Sequence, residues 1–227
     1  MVNSNVWKSL TASFKEQHVT LVAVSKTKPV ADIQELYDLG QRDFGENYVQ
    51  ELSEKESQLP ADIRWHYIGH LQSNKVKYIA PFVHMIHAVD SFKLLLEINK
   101  QAAKNNRTID VLLQLFIADE ETKFGLDEKE IIELLDYYDA QKADLQHIRI
   151  CGLMGMASNT DNETQIRAEF DRLYNVFLNL KQSSFLGKNY FKICSMGMSS
   201  DYKIAIEAGS TMVRIGSMLF GARNYNQ

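Results

Sequence analysis

A lysine closes the first strongly apolar stretch of this chain, Val19-Thr20-Leu21-Val22-Ala23-Val24-Ser25-Lys26. Five of the six residues from Val19 to Val24 are apolar, the composition of a strand buried on both faces. An amine at the end of such a strand loses part of its water, which favours its neutral, nucleophilic form. Neutral lysine amines condense with carbonyl compounds. Two segments of small residues follow strand-like stretches near the C-terminus. Ser195-Met196-Gly197-Met198-Ser199-Ser200-Asp201 opens a helical pattern, and Met212-Val213-Arg214-Ile215-Gly216-Ser217 ends on a glycine and a hydroxyl. Amides at a helix start, with hydroxyls beside them, suit a phosphate dianion. Gly216 lets a ligand approach the backbone, and Ser217 adds a donor. Asp201 is expected to turn toward the helix amides as a cap, since a carboxylate facing the site would repel phosphate.

These residues need a scaffold, and the chain alternates strand-like with helix-like segments throughout. Apolar strand patterns fall at 19–25, 43–46, 65–69, 85–89, 111–118, 148–156, 190–196 and 212–216. Helical patterns fall at 4–17, 31–39, 48–57, 74–79, 91–104, 128–138, 161–182 and 201–208. The one at 161–182 is preceded by Thr160, with Glu163 three residues on, the spacing of a capping box. Strict alternation over 227 residues predicts a single (β/α)8 TIM-type barrel with an extra N-terminal helix, one domain over 1–227. An open doubly wound sheet is the other arrangement, but no GxGxxG follows the first strand. In a barrel, chemistry gathers where strands end at the C-terminal side. That rim would hold Lys26, Glu46, Asn47, Gly69, His70, Met154, Met156, the 195–200 loop, Gly216 and Ser217.

Composition narrows the function classes. A net charge of −4 without long runs of one sign speaks against a dedicated nucleic-acid surface. Cys151 and Cys194 lie far apart in apolar contexts and are expected to be buried free thiols in a reducing compartment. No secretory leader is visible at the N-terminus and no apolar run is long enough to span a membrane, so the cytosol is the expected location. His66 and Trp65 read as core. His84 and His87 lack the partners of a metal site. Tyr137-Tyr138 reads as helix surface or packing, and Asp119-Glu120-Glu121 as a solvated loop.

A strand-end lysine with a phosphate site has two chemical readings that spacing leaves open: a Schiff-base aldolase of sugar phosphates, or a site for pyridoxal 5′-phosphate (PLP). Longer strings bear on the choice. They include Phe44-Gly45-Glu46-Asn47-Tyr48-Val49-Gln50-Glu51, Trp65-His66-Tyr67-Ile68-Gly69-His70-Leu71-Gln72-Ser73-Asn74-Lys75 and Gly152-Leu153-Met154. Together with the lysine string and the two C-terminal segments, they resemble the pyridoxal phosphate homeostasis protein family, whose fold is similar to the N-terminal barrel of alanine racemase.

The resemblance implies an intracellular PLP carrier in vitamin B6 homeostasis. Lys26 would hold PLP covalently as an internal aldimine. Asn47 and Met154 would lie beside the cofactor, Ser199 with Gly216 and Ser217 would hold the phosphate, and Arg214 would face the pyridine nitrogen. It also implies a monomer that passes PLP to PLP-requiring apoenzymes. Racemases of this fold complete proton transfer with a tyrosine from a separate β domain. This chain stops at Gln227 shortly after the eighth strand, so no amino-acid conversion is expected of it. The alternative is a PLP-dependent racemase or related enzyme.

Overall fold

The computed structural model describes residues 2–118 and 124–221, so the acidic run at 119–121 lies outside the described residues. Helix α1 (Ser4–Glu16) leads into β1 (Thr20–Val24), followed by α2 (Val30–Asp38), β2 (Asp43–Glu46), α3 (Val49–Glu56) and β3 (Arg64–Tyr67). A short 3₁₀ turn, Ser73–Lys75, joins α4 (Val76–Ile79), and β4 (Met85–Val89), α5 (Phe92–Lys104) and β5 (Ile109–Gln114) come next. The chain continues through α6 (Glu128–Ala140), β6 (Ile148–Met154), α7 (Glu163–Gln182), β7 (Ile193–Ser195), α8 (Tyr202–Glu207), β8 (Met212–Ile215) and α9 (Ser217–Phe220). The strands form a closed parallel barrel in sequence order, and β8 pairs back onto β1. The fold class is the expected α/β barrel with its N-terminal helix.

Alternating side chains divide the interior into two zones. Outward-facing residues such as Phe44 and Ile86 pack with Ile33, Leu36, Leu95 and Phe170 of the surrounding helices. A second apolar cluster, built from Val22, Met85, Ala88, Leu112, Cys151, Met154 and Met212, fills the lumen. His66, His87, Ser195 and Arg214 are buried as well. Trp65 is core, as expected. Tyr138 is buried on α6 while Tyr137 is exposed. Both cysteines are buried free thiols, and burial pushes each up to about 12. No described helix is long and apolar enough to cross a membrane.

Several boundaries differ from the sequence pattern for local reasons. The fifth strand ends at Gln114, because Phe116 N–H turns to Leu126 O at 2.8 Å and leaves the barrel ladder. The capping box at Thr160 does not form. Asn162 caps α7 by accepting from Gln165 N–H at 3.2 Å, while Thr160 Oγ1 accepts from Asn162 N–H. A full capping box stands instead at α6, where Asp127 and Glu130 exchange bonds.

Candidate functional site

Lys26 follows the last residues of β1 on the C-terminal rim, and it is partly buried rather than sealed from water. Val24 pairs with Gly45 across β1 and β2, so Lys26 and Asn47 extend neighbouring strands by the same two residues. On the other side, Val22 pairs with Arg214 and Ala23 with Ile215, which brings Gly216 opposite Val24. A Cβ on Gly216 would lie 3.1 Å from Val24 O, a tight contact that the glycine avoids along this edge. Gly216 N–H donates to Ser199 Oγ at 3.3 Å, which joins the two C-terminal segments. Ser217, exposed, opens α9. Met154, fully buried, pairs with Ser195. Lys26, Asn47, Gly216 and Ser217 therefore share three adjacent strand ends, with Ser199 tied to them and Arg214 one layer deeper.

The turn that carries Lys26 is pinned from two sides. Ser25 Oγ donates to Glu46 Oε1 at 2.6 Å, and Lys55 Nζ donates to Ser25 O and Glu46 Oε1, both at 2.8 Å. Glu51 accepts from Lys55 Nζ and from Thr27 N–H, both at 2.6 Å. That last bond holds Thr27 at φ 63°, a left-handed conformation that costs a β-branched residue energy. Lys28 Nζ donates to Phe220 O at 2.9 Å and closes the C-terminal end of α9. Burial raises the Glu46 carboxyl above its ordinary value, and the adjoining Lys55 ammonium opposes that rise. Glu51, Lys55 and the buried role of Glu46 are not evident from the rim residues. The Glu51–Lys55 pair at i,i+4 was the one signal in the sequence.

Arg214 is buried at 4% exposure. Its Nη1 donates to Ser195 Oγ at 2.6 Å and its Nη2 to Gly155 O at 3.1 Å. Burial pushes the guanidinium down to about 10, still cationic at neutral pH. Asp201 differs from expectation. It precedes α8 without a side-chain bond to that helix, and its carboxylate accepts from the Met198 amide of the 195–200 loop. His70 lies on the rim, stacked on Phe124 at 4.3 Å, with its Nδ1 3.0 Å from Asp90. A groove of about 1130 Å³ opens beside Asn47 between Tyr48, Tyr67, His70 and Tyr78. No metal-binding cluster occurs among the described residues.

A parallel barrel with a lysine ending its first strand and a lumenal arginine on its eighth is an alanine-racemase-type barrel. The family of alanine racemase N-terminal domains matches residues 4–224. The chain belongs to the pyridoxal phosphate homeostasis protein family. It is 41% identical over 212 residues to the pyridoxal phosphate homeostasis protein of Haemophilus influenzae, covering 92% of this chain and 86% of that one. The structure of PipY from Synechococcus elongatus PCC7942 without PLP aligns at TM-score 0.84 and 35% identity, over 93% of this chain and 98% of that one. PipY with PLP bound aligns at TM-score 0.80. Alanine racemase from Clostridium difficile 630, at TM-score 0.73, 15% identity and coverage of 96% and 56%, shares the fold.

Proposed function

We propose that this chain, as one barrel domain over 1–227, binds PLP covalently through Lys26 and serves vitamin B6 homeostasis in the cytosol. The observation that carries the reading is the contiguity of Lys26, the Ser199–Gly216 donor pair and Arg214 on neighbouring strands. Ser199, Gly216 and Ser217 would hold the phosphate by hydroxyl and amide donors, and Lys26 would supply the amine that condenses with the aldehyde. Asn47 Oδ1 is buried and has no partner among the described residues, as fits a group awaiting a ligand donor. Met154 would pack at the lumenal side. PLP, when bound, supplies an aldehyde and an electron-withdrawing ring.

Arg214 bears on what the protein does with the cofactor. A guanidinium donates and cannot accept, so at the pyridine nitrogen it leaves that nitrogen without a proton. The ring is then a weak electron sink, which is compatible with storage and delivery to PLP-requiring apoenzymes by a monomer, though racemases of this fold work with such a ring by using a second base. Borohydride reduction of the PLP-loaded protein followed by peptide mapping should place the pyridoxyl group on Lys26. Label found mainly on Lys28 would overturn the assignment. Turnover of L- or D-alanine at about one per second or faster would overturn the carrier role in favour of an enzyme.

A further inference from the structure

Five side chains form one polar chain through the barrel lumen, and none of the roles above uses four of them. Arg214 Nη1 lies 2.6 Å from Ser195 Oγ, and Ser195 Oγ lies 3.4 Å from His87 Nδ1. His87 Nε2 lies 2.9 Å from His66 Nδ1, and His66 Nε2 lies 3.0 Å from Asp43 Oδ1. His66, His87 and Ser195 are at most 1% exposed. Asp43 sits at the opposite, N-terminal mouth of the barrel. There it accepts from Arg64 Nε at 2.7 Å and borders a cavity of about 370 Å³ with His84, Asp110 and Arg149.

The chemistry of its ends gives this chain one direction. Arginine has no acceptor, so Ser195 Oγ must accept from it. A hydroxyl oxygen has two lone pairs, so the next link is set from the Asp43 end: with His66 and His87 neutral, the Ser195 hydroxyl donates to His87 Nδ1. His87 must carry its proton on Nε2 and donate to His66 Nδ1, and His66 must carry its own on Nε2 and donate to the Asp43 carboxylate, which only accepts. Both histidines are neutral in this arrangement, and burial already holds His87 well below its ordinary value. A lumen of apolar side chains would avoid the desolvation cost of these groups. The Asp201 carboxylate acts on the Arg214 guanidinium electrostatically. Asp43, at the far mouth, connects to it through polarised bonds that reinforce one another.

We propose that Ser195, His87, His66 and Asp43 are positioning residues that lock the Arg214 guanidinium in one orientation through a one-way hydrogen-bond chain. Its use in holding the PLP ring rests on the reading of Arg214 given above, but the chain itself needs no cofactor.

Nitrogen-15 NMR of the PLP-free protein tests it. Both His66 and His87 should be Nε2–H tautomers, and the Arg214 Nη protons should give separate, slowly exchanging signals. Ser195→Ala should leave His87 a mixture of tautomers and merge the Arg214 signals, while Ser195→Thr, which keeps the hydroxyl, should restore both. Asp43→Asn, at the far end, should lower the Nε2–H fraction at both histidines, because an amide can donate as well as accept. An Nδ1–H tautomer at His87 in the native protein would overturn the proposal. So would Arg214 signals that Ser195→Ala leaves unchanged. In the PLP-loaded protein, Ser195→Ala should weaken PLP retention about tenfold and Ser195→Thr about twofold or less. Unchanged retention in Ser195→Ala would overturn the role toward the ring. A protein that binds no PLP would defeat the functional reading while the NMR result on the chain stands.

Discussion

On the proposed reading Ser199 and Arg214 would address opposite ends of PLP, and that division can be measured. The Ser199 hydroxyl stands 3.3 Å from the Gly216 amide, so a phosphate oxygen there would draw on both. A hydrogen bond to a charged partner contributes about 1.5–3 kcal/mol, so Ser199→Ala should weaken PLP retention by roughly tenfold to a hundredfold. Pyridoxal, which has no phosphate, should bind poorly to the native protein and respond little to the same substitution. Equal affinity for pyridoxal and PLP, read by equilibrium dialysis, would remove Ser199 and Gly216 from the phosphate site. A second residue-scale case is Lys55, whose ammonium offsets a carboxylate at 0% exposure, Glu46. Lys55→Met leaves that charge buried without a countercharge and should cost about 3–5 kcal/mol of stability. Adding Glu46→Gln should recover part of the loss, since the penalty belongs to the unpaired charge. A single variant with the native urea midpoint would contradict this account. The positions of Lys26, Ser199 and Gly216 were legible because each follows a strand in a recognisable string, and that of Arg214 because it lies within one. Lys55 was not, because nothing in a surface-like helix pattern tells that its ammonium turns inward to Glu46.

At the scale of elements, the alternation of strands and helices was legible, as was the closing of the barrel. Asp43–Glu46 and Met85–Val89 fall where the apolar pattern put them. Ends were harder wherever a competing polar group stood close by. Asn162 lies two residues nearer α7 than Thr160 and takes the cap, and Leu115–Leu126 pairing draws the chain off the fifth strand. The lumenal chain was invisible for another reason: His87 and Ser195 are 108 residues apart, and only barrel closure brings them together. The weakest link in that closure is β7, three residues long, held to β6 by Gly152↔Ile193 and Met154↔Ser195. Gly152 has φ 155°, and a Cβ there would fall 1.7 Å from Ile193 O. No rotamer change relieves a clash with backbone. Gly152→Ala should therefore cost about 3 kcal/mol or more and shift Ser195 with β7. A urea midpoint within error of the native value would show that β6 and β7 adapt more readily than their close approach allows.

The whole molecule holds titratable groups in its interior, and the sign of each sets how stability depends on pH. Burial lowers His84 and His87 below the ordinary 6.5. As pH falls below about 6.5, the unfolded chain takes up a proton at each position and the folded barrel does not. The unfolded state then binds more protons, so stability rises with pH through this window and levels off above it. One fully buried histidine gives a slope of about 1.4 kcal/mol per pH unit. His87 should approach that value, and His84, more open to water, should add less. Glu46 acts in the opposite sense. Its folded value is raised, so it gains a proton in the fold before the unfolded chain does and offsets part of the loss at the acid end. Asp43 is held low by Arg64 and His66 against the cost of burial, so its contribution persists at neutral pH and is lost only below about pH 4. The net expectation is a urea midpoint that is flat from pH 7 to 8 and falls steadily from about 6.5 to 5, before the carboxylates titrate. His84→Gln should keep most of that slope, since the larger share belongs to His87. A midpoint independent of pH between 5 and 7 would mean that His87 accepts a proton inside the lumen, which would also reverse its bond to Ser195 and free Arg214 from the chain that holds it.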